Sequence, residues 1–163
     1  MKLSEQTVSI LKNFSTINQN LVIKQGSEIS TMSAMKNIVS KSKVDETFPV
    51  EFAIYDLNEF LSAMSLFTNP ELDFDDNFVL ITEAGSNDTS LKYWYSEPSV
   101  VTTPSKEVTM PSVEVEFPMN SDILSEVQKA AAVIGAPDMV LEDDELRVTT
   151  KKNDTANSYS TSL

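Results

Sequence analysis

Few residue types in this chain can do covalent chemistry. Its 163 residues include no histidine and no cysteine. That removes Ser-His and Cys-His nucleophiles, disulfides, and zinc sites built on Cys or His. Carboxylates, hydroxyls and lysines remain. Asp73-Phe74-Asp75-Asp76-Asn77 opens like a calcium loop. Its sixth position is Phe78, where such a loop needs Gly, and its twelfth is Ala84, where it needs Glu. Asp and Asn favour tight turns, so the segment reads as an acidic hairpin turn. Glu142-Asp143-Asp144-Glu145 reads the same way. The three glycines, Gly26, Gly85 and Gly135, are too far apart for a phosphate-binding loop. Paired carboxylates can transfer protons, but no motif marks a pocket around these. The chain therefore reads as noncatalytic, with no metal and no cofactor.

Binding chemistry has two starting points. Trp94 lies between Tyr93 and Tyr95 in a candidate strand, so alternation puts the indole on one face and both phenols on the other. Such a trio can stack on bases, or it can be a strand with one face in the core. Charge is the second. The chain has 25 acidic and 12 basic residues, a net −13. An acidic chain is a poor ligand for nucleic acid, whose affinity comes mostly from neutralising phosphates. The distribution is uneven, however. Residues 1–43 hold Lys2, Lys12, Lys24, Lys36, Lys41 and Lys43 against only Glu5 and Glu28. They are net +4, and the remainder is net −17. That asymmetry fits either a basic working surface on an acidic body or lysines scattered over solvated faces.

Three amphipathic helices must carry any such surface. The first opens at Ser4, a good N-cap, with Leu3 placed to staple onto Val8. Val8, Leu11 and Phe14 form its apolar side. The second opens at Asp56 with Glu59 three residues on, and Tyr55 placed to staple onto Phe60. Leu57, Phe60, Leu61 and Met64 give its stripe. The third starts near Asn120 or Ser121, carries Ile123, Val127, Ala131 and Ile134, and stops at Gly135 and Pro137. Strands are expected over 21–24, 28–32, 37–43, 50–55, 71–74, 78–82, 89–95, 113–117, 139–142, 146–151 and 157–163. In 50–55, Val50, Phe52 and Ile54 share one face while Glu51 and Ala53 share the other.

Residues 96–111 differ from the rest. Pro98, Pro104 and Pro111 keep them extended and outside sheet interiors. They read as a linker between two domains, each a helix followed by antiparallel strands. No apolar run reaches the ~20 residues of a membrane helix, and the N-terminus lacks a leader pattern. The chain reads as a soluble protein of a reducing compartment.

Three collinear blocks resemble one family. They are Met1-Lys2-Leu3-Ser4 with Leu11-Lys12-Asn13-Phe14-Ser15-Thr16-Ile17-Asn18, then Ala53-Ile54-Tyr55-Asp56-Leu57-Asn58 with Phe60-Leu61, then Glu97-Pro98-Ser99-Val100-Val101 with Pro104. The chain resembles the DNA polymerase sliding clamps of T-even-type bacteriophages. The resemblance implies an α+β DNA-clamp fold: curved antiparallel sheets with short helices on one face. It implies a complete clamp domain over 1–96, a connector over 97–111, and an incomplete second domain over 112–163, since family members are longer. It also implies a noncatalytic processivity factor that encircles duplex DNA as a homotrimeric ring and tethers the DNA polymerase. An ATP-driven clamp loader opens the ring, and late transcription is assisted. The expected location is the cytoplasm of an infected bacterial host, with no membrane partner.

Under that resemblance the helices line the hole. Lys2 and Lys12 from the first and Lys129 from the third are the expected DNA-facing cations, and the second helix has none. The wall is expected to be weakly basic. Val100, Val101, Val108 and Met110 in the connector either receive hydrophobic partner peptides or pack the linker onto the sheets. The competing reading keeps the fold without the ring, as an acidic interaction module or DNA mimic.

Overall fold

The computed structural model describes residues 1–86, 88–102, 112–113, 116–142 and 144–163. The chain divides into two compact units, Met1–Thr109 and Met110–Leu163. Each helix starts where a side chain satisfies otherwise free backbone N–H groups. Ser4 Oγ accepts from Thr7 N at 3.2 Å and caps α1 (Glu5–Ile17). Asp56 Oδ1 accepts from Asn58 N at 2.9 Å and Glu59 N at 3.2 Å and caps α2 (Leu57–Ser65). In the second unit, Asn120 Oδ1 accepts from Ile123 N at 2.8 Å and caps α3 (Ser121–Ile134). That helix ends at Gly135, whose φ of +64° is the left-handed cap that glycine adopts without strain.

The first unit is built on antiparallel pairs. β1 (Leu21–Ile23) pairs with β4 (Phe52–Ile54), and β2 (Gly26–Met32) pairs with β3 (Val39–Phe48). β5 (Pro70–Phe74), β6 (Phe78–Glu83) and β7 (Ser90–Trp94) form a three-stranded sheet in that order. Asp75-Asp76-Asn77 is the turn between β5 and β6, as the sequence led us to expect. Leu11 and Phe14 of α1 and Leu57, Phe60 and Met64 of α2 bury into one core with Ile29, Phe48, Leu72, Val79 and Ile81. Tyr93 and Tyr95 face that core, with Tyr93 5.2 Å from Phe60 and Tyr95 5.0 Å from Phe52 between ring centroids. Trp94 points the other way and is 63% exposed.

The second unit packs α3 on one face of a sheet ordered β8 (Asp138–Glu142), β9 (Glu145–Thr149), β10 (Tyr159–Ser162). Val127, Leu146 and Val148 are its buried centre.

Several local expectations give way to tertiary contacts. Tyr55 is 62% exposed, and Phe60 packs on Tyr93 instead. β4 covers only Phe52–Ile54, and all three residues are buried, Ala53 included. Of the strand expected over 113–117, residues 114 and 115 lie outside the described residues, and Val113, Glu116 and Phe117 are in no strand. β3 runs to Phe48, beyond the expected end at 43.

Glu46 explains part of that extension. It interrupts the apolar pattern of β3 because its carboxylate serves α1. Oε1 accepts from Ser4 N–H and Oε2 accepts from the Thr7 hydroxyl. A distant strand thus supplies the acid that a capping box takes from within the helix. Burial pushes the Glu46 carboxyl up, but bonds from the Thr7 hydroxyl and the Ser4 and Glu46 backbone N–H groups outweigh it. The net value lies below the ordinary 4.5. The stability it contributes is therefore present above pH 4.5 and is lost as pH falls through the lower folded value. Urea midpoints measured across that acid range should fall more steeply in the parent than in Glu46→Gln, which has no carboxyl to protonate.

Candidate nucleic-acid interface

The helix surfaces carry the residues singled out for DNA. On α1 the solvent face presents Glu5, Gln6, Ser9, Lys12, Asn13 and Thr16, because Leu11 and Phe14 fix the opposite face in the core. On α2, which packs against α1, it presents Asn58, Glu59, Ser62 and Ser65. Several hydroxyls on these helices turn back onto their own backbone. Ser15 Oγ donates to Lys12 O at 2.8 Å, Thr16 Oγ1 to Asn13 O, Ser62 Oγ to Asn58 O and Ser65 Oγ to Ser62 O, each at 2.7 Å. Donors already occupied grip a phosphate weakly.

Lys12 is exposed, and it also rims an apolar groove of about 160 Å³ lined by Leu3, Val8, Leu61, Met64 and Leu72. Leu3 and Val8, the two residues of the expected staple, both line it. Lys2 is exposed, and its Nζ donates to Asn69 Oδ1 at 3.1 Å. Lys129 is exposed on α3 beside Asp122, Ser125, Glu126 and Gln128. Glu126 also accepts from the Tyr159 hydroxyl, and that bond raises the phenol's pKa.

The helix faces carry fewer cations than the count of early lysines implied. The solvent faces of the three helices carry Lys12 and Lys129 against Glu5, Glu59, Asp122 and Glu126. Most of the early positive charge lies elsewhere. Lys36, Lys41 and Lys43 are on the β2–β3 hairpin and its tip. The run of lysines without a carboxylate between Glu28 and Asp45 was the signal for this in the sequence.

The start of the connector is fixed to the first unit. Pro98–Val100 make a single 3-10 turn, after which Val101 is only 7% exposed, packed with Val22 and Ala53. Ala53 is buried because Val22 and Val101 pack on the face of β4 opposite Phe52 and Ile54. Two asparagines clip the next residue. Asn18 Nδ2 donates to Thr102 O at 3.2 Å and Asn20 Oδ1 accepts from Thr102 N at 3.3 Å. Val101 thus packs the linker down, whereas Val100 is 58% exposed. Val108 and Met110 lie outside the described residues.

The two edges of the β5-β6-β7 sheet differ among the described residues. At the β5 edge, Met1 and Leu72 exchange two bonds of 2.6 and 2.7 Å. At the other edge, β7 itself pairs with no further strand among the described residues, although just past its end Ser96 N donates to Ala53 O of β4 at 2.9 Å. Beside that edge, Trp94 stacks at 5.4 Å from Phe78, with Lys92 Nζ 4.1 Å from the Phe78 centroid. Among the described residues, no cluster of carboxylates could hold a metal ion and no helix is long and apolar enough to cross a membrane.

Comparison with known proteins gives concordant results. The family model described as DNA polymerase processivity factor matches residues 2–92. The sliding clamp of Vibrio phage KVP40 is 38% identical over 147 residues, covering 88% of this chain and 66% of that protein. The sliding clamp of Enterobacteria phage T4 is 29% identical over 135 residues, covering 80% of this chain and 57% of that protein. Among solved structures, PCNA from Thermococcus kodakaraensis superposes with a TM-score of 0.56 at 15% identity, covering 97% of this chain and 69% of PCNA. That likeness concerns the fold, which is a clamp-type α+β arrangement. The chain spans roughly three-fifths of the length of the phage clamps it matches.

Proposed function

The chain belongs to the DNA polymerase processivity factor family, and from that premise we propose that it is a sliding-clamp subunit. It encircles duplex DNA without sequence preference and tethers a replicative polymerase, with no catalysis of its own. The observation that carries this reading is the helix surface: polar, sparsely cationic, its hydroxyl donors largely turned inward. A protein that grips DNA needs many phosphate contacts. A protein that encircles DNA is retained by topology, and its charge need only permit sliding. A net charge of −13 is compatible with the second requirement and not the first.

The rest of the reading follows from the family. Subunits close head to tail, as a trimer, through sheet edges such as β7. A clamp loader opens the ring, and a polymerase tail reaches the connector beside exposed Val100. Assistance to late transcription and a location in the infected bacterial cytoplasm complete it. The test is topological. Protein loaded on nicked circular DNA should stay bound and should leave when the circle is cut. Equal dissociation from circles and linear fragments would overturn the reading. It would favour an acidic module or DNA mimic, a reading supported by the carboxylates exposed on α3.

Lys12 gives a sharper prediction. It lies on the solvent face of α1, so Lys12→Glu should leave the thermal midpoint unchanged. Loading onto circular DNA should fall several-fold, and the salt dependence of loading should flatten by about one unit of slope per lost contact, while protein already loaded stays on the closed circle. Unchanged loading would remove Lys12 from the wall.

A further inference from the structure

The β2–β3 hairpin ends in a patch that neither the helix wall nor the connector uses. Three large apolar side chains are exposed within five residues: Met35 at 84%, Ile38 at 49% and Val39 at 41%. Scattered exposed apolar residues need no explanation, but a cluster at the end of a projecting hairpin does. From the tip to Lys43 of β3 the charge has one sign, with Glu28 of β2 the carboxylate facing it across the hairpin. Lys36, Lys41 and Lys43 fall between Glu28 and Asp45 with no carboxylate among them, in a chain of net −13.

The tip is also built rigidly. Ser33, 8% exposed, ties it together: its Oγ accepts from Asn37 N at 3.2 Å and Ile38 N at 3.1 Å and donates to Asn37 Oδ1 at 2.8 Å. Ser33 N donates to Ile38 O at 2.9 Å, and Lys36 N donates to Ser33 O at 2.8 Å. At its base, Asn18 Nδ2 donates to Met32 O at 2.8 Å. Lys36 is held at φ +58°, a region where glycine or asparagine costs far less. Strain kept at an exposed position points to use of the side chain it orients.

We propose that this tip is a docking surface for an acidic, amphipathic segment of another protein. Charge complementarity selects the acid: Lys36 and Lys43 meet Asp or Glu of the partner, whereas Lys41 is already engaged by Glu28 at 2.9 Å within the hairpin and contributes less. The apolar residues select a protein over bare DNA. Phosphates reward the lysines but give Met35 and Ile38 nothing to bury against. Met35 adds an adaptable contact that fits varied apolar partners. The preformed knot lowers the ordering cost of docking. This surface does not depend on encirclement of DNA or on the connector.

The test is an amide-resolved NMR titration of the full chain with three probes: a synthetic peptide alternating Leu with Asp and Glu, a short DNA duplex, and phosphatidylserine vesicles. The acidic peptide should shift residues 33–39 together with Lys41 and Lys43. Met35→Ser combined with Ile38→Ser should weaken it about tenfold or more. Lys36→Gly separates docking from structure. It relieves the left-handed backbone, so the thermal midpoint should rise, while peptide affinity falls. The proposal is overturned if the tip amides do not respond to the acidic peptide. It is equally overturned if the duplex or the vesicles move them as strongly and the apolar double variant binds as well as the parent.

Discussion

Phe48→Ala is expected to cost the first unit about 3–5 kcal/mol. Phe48 is 1% exposed and sits at the end of β3. Its ring lies 6.0 Å from Phe52 on β4 and 6.0 Å from Phe74 on β5, the latter edge-on at 85°. It therefore joins three separately paired groups of strands. No neighbouring chain can collapse into the space, because those strands are fixed by their own ladders. Domain stabilities are typically about 5–15 kcal/mol, so this loss removes a large share. At a urea slope of about 1–3 kcal/mol/M the midpoint should drop by about 1 M or more. Glu46 lies two residues before Phe48, so the cap on α1 should loosen as well. Phe78→Ala, on the outer face of β6, should cost far less. Equal losses from the two would mean that Phe48 does not join the sheets.

Trp94→Asp should have the largest effect on function while sparing the fold. The indole is 63% exposed, next to the open edge of β7, so the unit does not need it for its core. An open edge with an aromatic beside it favours strand addition by another chain. In an assembled ring the indole would be a buried anchor, and such anchors typically contribute about 2 kcal/mol or more at each joint. The substitution would place a carboxylate there instead, beside Asp75 and Asp76 at the same end of the sheet. Light scattering should show the parent as an oligomer and the variant as a monomer with an unchanged urea midpoint. Retention on circular DNA should be lost with it. An oligomer that survives Trp94→Asp would place the subunit joint elsewhere.

The capping and turn signals in the chain were reliable because they act within a turn or two of backbone, whereas the Tyr55–Phe60 staple and the strand expected over 113–117 were not. Ser4, Asp56 and Asn120 cap the three helices through bonds to residues at most three positions away. The acidic turn at Asp75-Asp76-Asn77 and the alternation around Trp94 were legible for the same reason. The burial of Val101 was not. Its partners, Val22 and Ala53, are distant in sequence, and nothing local distinguishes it from exposed Val100. Glu46 is similar: as a strand residue it breaks the pattern, and its purpose appears only once Ser4 and Thr7 arrive beside it.

The candidate site divides along the same line. The missing histidines and cysteines, the lysines crowded into residues 1–43 and the collinear family blocks were all fixed by residue identity, which no folding can alter. Which way each lysine faces depends on where the apolar stripes bury, and the three-dimensional packing decided that. It left Lys12 and Lys129 among carboxylates on the helix faces and gathered Lys36, Lys41 and Lys43 on a hairpin. Composition counts charges, but burial and strand pairing across long sequence separations set the surface on which those charges act.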